Sequence, residues 1–343
     1  MEYRTVQRDG QNLRICLREF REEDAPALVE CIRDEYGATY LKQDFYDSAN
    51  LVREHRTGHC LFLLAEAAGE IAAVLGLKFP STRETMCEWI TGIVLKKYRR
   101  CGIMKLLFAQ ALQEMLQRKD ISAGYGFSVT YHDISQRSMG ALGFHPCGFL
   151  LSVLLSQTHS FQLDANRKHH HVIIVRKVCQ EDAGKIHIPA RHEAIVREIY
   201  QNLEVRIEVD TKMVPLMGNS VCRENQDVGQ LSCTIWVDES GGDLKEQIRD
   251  IESRYAEPLQ TYNVFLNICD AKAVAAYECL CEMGYFFAGL RPICCDHEIM
   301  VLHKGGEILP DFSSLVLTEE AARLRDYVRD CCEEGKRGRK DEE

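Results

Sequence analysis

A short basic segment at residues 96–105, with the sequence KKYRRCGIMK, combines residue types that bind phosphate groups. It carries five basic residues, no acidic residue and Gly102, in a chain whose formal net charge is −10. An apolar strand-like run precedes the segment, and a helical pattern of apolar residues begins at Ile103. Such a turn directs backbone N–H groups and the positive end of a helix dipole at one point. The segment therefore predicts a pyrophosphate site that needs no metal.

The same residues resemble the signature of the GNAT superfamily of acyl-CoA-dependent N-acyltransferases, which is Arg or Gln, two residues, Gly, one residue, then Gly or Ala. The signature reads here as Arg99-Arg100-Cys101-Gly102-Ile103-Met104, with Met104 at a position where a small residue is usual. The resemblance implies that Val94 and the backbone of residues 99–104 bind the pantetheine and pyrophosphate of acetyl-CoA. It also implies that the helix near Ser135 flanks the thioester.

The resemblance leaves the acid of the reaction open. In the family, an Asn often begins the region after the strand and a Tyr in the helix often protonates the departing thiolate. This sequence has His132 and Met139 at the nearest equivalent positions. Tyr131 or His132 would then supply the proton, or the thiolate would leave without direct protonation.

Glu88 is the candidate base, because direct transfer to an amine needs a group that removes a proton from the nitrogen. It lies on the strand that enters the basic turn. Period-two counting places it on the same face as Ile90, Gly92 and Val94. A salt-bridged glutamate near the strand end is the alternative interpretation.

The acceptor side is predicted in an acidic and aromatic stretch that contains Tyr36, Tyr40 and Asp44. The superfamily usually builds its acceptor pocket in this region, and carboxylates beside aromatic rings suit a cationic amine. The stretch therefore predicts a small-molecule amine as the acceptor. A solvated surface between two helices is the alternative.

The elements around these residues alternate between strands and helices. The patterning predicts strands over 86–95 and 124–130 and helices over 103–118 and 134–142. With both hairpins and crossovers present, the expected fold class is α/β (α+β). The resemblance implies tandem GNAT-like domains, each with a central mixed, mainly antiparallel sheet and helices on both faces.

Two pairs of similar segments predict an internal repeat. LREFREEDA at 17–25 resembles VRKVCQEDA at 175–183, where an apolar run leads into Glu-Asp-Ala. The segments at 133–144 and 270–285 each read as a helix, a glycine stop and the start of a strand. We therefore expect a second copy of the domain.

The repeat divides the chain into an N-terminal GNAT acetyltransferase domain at 1–168, a degenerate GNAT-like domain at 169–310, and a C-terminal helix and charged tail at 311–343. The second copy has no counterpart of the basic turn. Asp243 follows two glycines there and is expected to cap a helix and to repel phosphate. The three adjacent histidines at 169–171 are read as a linker, since neighbours in a strand point to opposite faces and cannot share one metal.

Composition excludes several classes of protein. The chain has 343 residues, is 45% hydrophobic and 27% charged, and therefore has the composition of a globular protein rather than of a disordered one. The acidic balance argues against a nucleic-acid partner, and the sequence shows no membrane span or secretory signal. The 16 cysteines are therefore expected as reduced thiols in the cytoplasm.

The sequence thus predicts an N-acetyltransferase that moves an acetyl group from acetyl-CoA to a primary amine without a metal. Two alternatives stay open: a noncatalytic sensor that binds an acyl-CoA or an amine, and a transferase that uses a longer acyl-CoA. A homodimer is also left open.

Overall fold

The structure, a computed structural model, describes residues 1–8, 10–38, 40–79, 85–155, 168–179, 182–257, 260–293, 297–306 and 310–340. Contacts divide the chain into two compact units. The first is Met1–Gly126, and the second is Phe127–Leu155 together with the described residues from 168 onward. The domain limits drawn from the repeat follow a different criterion and remain a prediction.

The first unit is built on antiparallel strands joined by one parallel strand. Its elements are β1 (Glu2–Arg8), β2 (Gln11–Glu19), α1 (Ala25–Tyr36), α2 (Ser48–Arg56), β3 (Cys60–Ala67), β4 (Glu70–Lys78), β5 (Met86–Val94), α3 (Ile103–Gln117) and the first part of β6 (Ala123–Val129). Strands β1 to β5 pair antiparallel in chain order, and β6 joins β5 in parallel. The charged N-terminal residues form β1, which the sequence did not predict.

Helices cover both faces of this sheet. On one face, Leu28 and Ile32 of α1 share a buried cluster with Phe62 and Leu64 of β3. On the other face, the Trp89 ring lies 5.7 Å from the Phe108 ring of α3. The predicted mixed, mainly antiparallel sheet with helices on both faces is confirmed for this unit.

The second unit begins with the end of β6 and contains most of the remaining strands. Its further elements are α4 (Ile134–Gly140), β7 (His145–Leu155), β8 (Lys168–Lys177), β9 (Lys185–His187), α5 (Glu193–Asn202), β10 (Glu208–Asp210), β11 (Val221–Asp227), β12 (Ser232–Glu239), α6 (Leu244–Arg254), β13 (Thr261–Asn267), α7 (Ala273–Glu282), β14 (Phe286–Arg291), β15 (Ile299–Lys304) and α8 (Glu319–Lys340). Its sheet runs in the order β8-β7-β14-β15-β13-β12-β11, and β9 and β10 form a separate pair. Within that sheet, β12 and β13 are parallel neighbours and the other described pairs are antiparallel.

The histidine run lies in β8, so its interpretation as a linker was wrong. His170 and His171 are buried, and β8 pairs antiparallel with β7. The histidines are polar, but they lie on a strand that enters the core, because the residues that follow them, such as Ile173, are buried there. Composition alone did not reveal this burial.

Of the two pairs of similar segments, the pair at 133–144 and 270–285 has the predicted helix, glycine and strand, and the pair at 17–25 and 175–183 does not occupy equivalent strands. Helix α4 and helix α7 each lead through a glycine with positive φ, Gly143 and Gly284, into strands β7 and β14. In contrast, Val175 lies in β8 beside β7, whereas its supposed equivalent Leu17 lies in β2 between β1 and β3. A further strand, β9, separates β8 from the next helix.

The C-terminal segment was expected as a helix and a charged tail, and helix α8 continues to Lys340. Its Cys332 is buried. Among the described residues, no helix is both long enough and apolar enough to span a bilayer. The cysteines that the structure describes are free thiols.

Candidate functional site

The basic turn connects β5 to α3 and contains two residues in the left-handed region. Arg100 has φ 64° and Gly102 has φ 76°. A non-glycine residue in this conformation is uncommon and costs about 1 kcal/mol or more. A Cβ atom at Gly102 would meet no described atom within 4 Å. Glycine at this position therefore supplies the turn and leaves the space in front of the helix open.

The turn presents a row of backbone donors without acceptors. Among the residues the structure describes, the N–H groups of residues 100–104 donate to no backbone or side-chain acceptor. The next amide, that of Lys105, donates to the Gly102 carbonyl at 3.1 Å. Free N–H groups at the start of a 15-residue helix, together with its dipole, form a binding site for an anion. The role of residues 99–104 in binding acetyl-CoA stays a prediction.

The basic side chains of the turn fall into two groups. Lys97 is 2.6 Å from Glu70, and Arg99 donates to Glu35 and to the Val94 carbonyl. These two cations therefore hold the turn against its own unit. Within the described part of the chain, Lys96, Arg100 and Lys105 are exposed and have no ion-pair partner, which leaves their charge for a phosphate ligand.

A β-bulge in β5 changes the predicted faces of this strand. Thr91 has φ 53°, and the register shifts so that Gly76 faces Ile90 while Val74 faces Ile93. Ile90 and Ile93 consequently belong to the same buried cluster. The prediction that Gly92 and Val94 share a face with Glu88 was therefore wrong, because the extra residue in the bulge inverts the alternation.

The bulge also coincides with the end of pairing on one side of β5. The described pairs with β6 run from Met86 to Trp89, and residues 90–94 pair with β4 alone. Gly92 in this stretch is exposed, and a Cβ there would lie 3.9 Å from the Cε methyl of Met104. Met104 thus points back toward the strand and narrows the space over Gly92.

Glu88 carries an ion pair that the sequence did not reveal. Both of its carboxylate oxygens accept from the Lys42 ammonium at 2.9 Å. The two side chains are only 14% and 24% exposed, respectively. The salt-bridged interpretation of Glu88 thus describes its contacts, and the proton-accepting role stays a prediction.

The predicted acceptor residues are only partly brought together. The rings of Tyr36 and Tyr40 stack at 4.7 Å, and both pack against the buried cluster under α1. The Tyr40 hydroxyl lies 2.9 Å from the Thr91 hydroxyl at the bulge, and burial raises the pKa of this phenol. Asp44 lies in a 3₁₀ helix at residues 43–46 with its side chain exposed.

The remaining predicted residues lie in the second unit, at the start of α4. The rings of Tyr131 and His132 meet edge to face at 5.0 Å. The Ser135 hydroxyl is buried without a hydrogen-bond partner among the described residues. Met139, at the position where the family often has a Tyr, is buried in the core. The structure thus describes Tyr131, His132 and Ser135 in one unit and Glu88 and the basic turn in the other.

The corresponding turn of the second copy is closed by its own chain. A Cβ at Gly241 would lie 2.3–2.6 Å from backbone atoms of the segment 218–220. The amides of Gly241 and Gly242 donate to Ser220 Oγ and to the Gly218 carbonyl. Asp243 was expected to cap the helix, and its side chain instead accepts from the Ser220 amide and from Gln247.

The strands beside this second turn are paired more fully than β5. Strand β12 pairs with β13 through six consecutive positions, from Ser232 to Val237. The pairing of β12 with β11 shifts register between Val221 and Cys222, as the pairing of β5 with β4 does at its bulge. This second turn therefore follows a strand that keeps its parallel partner for longer than β5 does, and its amides are not free.

One family of known proteins matches part of the chain. The model of the acetyltransferase (GNAT) family matches residues 25–149, whereas no curated protein sequence matches the chain. Similar solved structures include the ribosomal-protein-S18-alanine N-acetyltransferase from Escherichia coli, with a TM-score of 0.39 and 11% identity over 48% of this chain and 95% of that one. The protein yncA from Salmonella typhimurium, solved with its cofactor acetyl-CoA, gives a TM-score of 0.41 and 16% identity over 49% and 96%. The ribosomal-protein-alanine N-acetyltransferase from Brucella melitensis gives 0.39 and 21% over 47% and 99%. Residues 25–149 of this chain are thus similar to the acetyltransferase (GNAT) family.

Proposed function

We propose that the chain transfers an acetyl group from acetyl-CoA directly to a primary amine of a small molecule. The observation that carries this proposal is the row of free amides at residues 100–104, set at the start of α3 beside three unpaired cations. These groups fit a pyrophosphate. The end of β5, which has no described pairing with β6 after Trp89, offers backbone groups to an extended chain.

The chemistry requires a neutral amine, an electrophilic carbonyl and a route for two protons. Glu88 takes a proton from the ammonium, and the nitrogen then attacks the thioester carbon. Backbone N–H groups polarise the carbonyl as the C–S bond breaks. The nitrogen loses its second proton as the amide forms, and the departing thiolate gains one. That proton passes directly from the nitrogen to the thiolate, or Tyr131 or His132 protonates the thiolate and takes up the proton that the nitrogen releases.

The second copy has a supporting role in this proposal. Its turn is filled by the segment 218–220 and by Asp243, so that no anion can reach the amides of Gly241 and Gly242. We assign it no cofactor and no turnover.

Binding without turnover is the second candidate, and the position of Met104 favours it. The Met104 side chain narrows the space over Gly92, and Met139 supplies no proton. The folded state of such a protein is stabilised by acetyl-CoA, but no free thiol is released when an amine is added. A preference for a longer acyl chain would appear as a larger thermal shift with that donor.

The first experiment is thermal unfolding of the purified chain with acetyl-CoA. A ligand at about 100 times its dissociation constant stabilises the folded state by about 2.7 kcal/mol. We expect Gly102→Asp to abolish the shift, because a carboxylate in front of the free amides repels phosphate.

Gly58→Asp is the matched control. Gly58 has φ 75°, close to the 76° of Gly102, and a Cβ there likewise meets no described atom within 4 Å. It introduces the same charge and the same backbone cost far from the turn in sequence. An unchanged shift in Gly102→Asp would show that the cofactor binds elsewhere.

A further inference from the structure

Lys42 is positioned as an acceptor amine would be. Its ammonium lies 2.9 Å from both oxygens of Glu88, the candidate base. The pair is largely withdrawn from water, with the lysine side chain 24% and the glutamate side chain 14% exposed. A substrate amine that uses Glu88 must occupy the same place.

The segment around Lys42 follows β5 toward its unpaired end. Two residues earlier, Tyr40 bonds through its hydroxyl to Thr91 at the bulge. Lys42 therefore reaches β5 at Glu88, while Tyr40 reaches it at Thr91, where pairing with β6 has ended. The two contacts lie about 10 Å apart along the strand. The flexible side chain of a lysine reaches about 6 Å, which covers a large part of this distance.

We propose that Lys42 is a self-acylation site of the chain, with an acyl-CoA thioester as the donor. This inference rests on the proposed function, since it uses the same cofactor and the same base. The Lys42 ammonium gives one proton to Glu88, and its lone pair attacks the thioester carbonyl carbon. The C–S bond breaks, the second amine proton goes to the thiolate, and an amide and a free thiol result.

Acylation would remove the charge that holds Glu88. An amide nitrogen is neutral and cannot form the bidentate ion pair, so the carboxylate becomes available to another amine. The modification would therefore convert a self-occupied acceptor site into an open one. The expected sign is faster acetylation of an added amine after the chain has been acylated.

The chain contains a matched internal control for this proposal. Lys304 contacts both carboxylate oxygens of Glu252 at 2.8 Å, with side chains 25% and 18% exposed. It thus has the same ion-pair geometry and almost the same exposure as Lys42. It lies on β15 in the second unit, and neither it nor Glu252 belongs to the basic turn.

The test is peptide mass spectrometry of the full chain after incubation with isotope-labelled acetyl-CoA. Both lysines are held by a carboxylate, but only Lys42 shares its unit with the basic turn that binds the donor in this proposal. Because a nucleophile placed beside its bound reactant reacts faster, we expect label at Lys42 at least about tenfold faster than at Lys304. Lys42→Arg keeps a cation opposite Glu88 and should lose the label at that position. Gly102→Asp should lower labelling of Lys42 to the rate of Lys304.

Three results separate the two proposals. Faster labelling of Lys42 than of Lys304, with the difference lost in Gly102→Asp, supports both proposals. A thermal shift with acetyl-CoA and thiol release with an added amine, but equal labelling of Lys42 and Lys304, overturns self-acylation and leaves the proposed function standing. No thermal shift, no thiol release and no selective label overturn both.

Discussion

Single residues at the candidate site take their roles from partners that lie far away in sequence. Glu88 is 46 positions from Lys42, and Tyr40 is 51 positions from Thr91. A carboxylate in a bidentate ion pair and a phenol bonded to a bulge are both held in place before any ligand binds. This fixed geometry is what a base requires, because a small displacement of a catalytic group costs much of its rate.

Glu88→Gln separates a base from a structural glutamate. As the base, Glu88 contributes about 10²- to 10⁴-fold to turnover, and the variant should lose that factor in kcat while the thermal shift with acetyl-CoA is retained. Thiol release at saturating amine gives the rate. The control is Glu252→Gln, which removes the matched carboxylate opposite Lys304. Equal rates for the parent chain and Glu88→Gln would reduce Glu88 to a salt bridge.

At the scale of elements, the two copies differ in how their strands end. Strand β5 has a bulge at Thr91 and loses its β6 partner after Trp89, whereas β12 stays paired with β13 through Val237. The turn after β5 keeps its amides free, and the turn after β12 gives them to the segment 218–220. The two turns therefore differ in their free amides, although a strand precedes and a helix follows each of them.

Two glycines of the repeat meet where β7 pairs with β14. Gly289 has φ 122°, and a Cβ there would lie 2.2 Å from the Gly148 Cα. Gly289→Ala should therefore destabilise the protein by about 2 kcal/mol or more, measured by urea unfolding.

Two controls identify the cause of that loss. Gly218→Ala introduces strain without collision, since Gly218 has φ 76° and open space, and it should cost about 1 kcal/mol. Gly184→Ala introduces neither backbone strain nor a collision, so it should leave the free energy of unfolding nearly unchanged. Similar stability of Gly289→Ala and Gly218→Ala would mean that the two strands separate enough to accept a methyl group.

At the scale of the whole molecule, buried histidines make stability depend on pH. Burial lowers the pKa of His170 and His192 to about 3 and that of His171 to about 4, and it also lowers the pKa of His303. The unfolded chain binds these protons below about pH 6.5, whereas the folded chain does not. Stability is therefore fully present above that pH and falls as the pH drops toward 4.

Each of these histidines lowers the free energy of unfolding by up to about 1.4 kcal/mol per pH unit within this window. Urea unfolding at pH 7, 6 and 5 should therefore show a midpoint that falls progressively on acidification. A midpoint that stays constant from pH 7 to pH 5 would mean that the histidines are protonated in the folded protein. The carboxylates with lowered pKa, such as Asp210 at about 2, act only at lower pH.

Local patterns in the sequence determined most elements of the first unit. Strands β5 and β6 and helix α3 differ from the prediction by at most one residue at either end, because apolar periodicity is a local signal. The basic turn was also found from sequence, since its glycine, its charges and the helix that follows are adjacent. The family signature of residues 99–104 added the cofactor to that prediction.

Tertiary structure decided what those residues contact. Pairing of β5 with β4 produced the bulge that inverts the face of Gly92 and Val94, and no local pattern marks an extra residue in a strand. Likewise, no local pattern shows that Lys42 pairs with Glu88 or that the segment 218–220 fills the second turn. The position of β8 beside β7 likewise buried a histidine run that composition had marked as a linker. Such contacts join residues distant in sequence, and packing of the folded chain selects them.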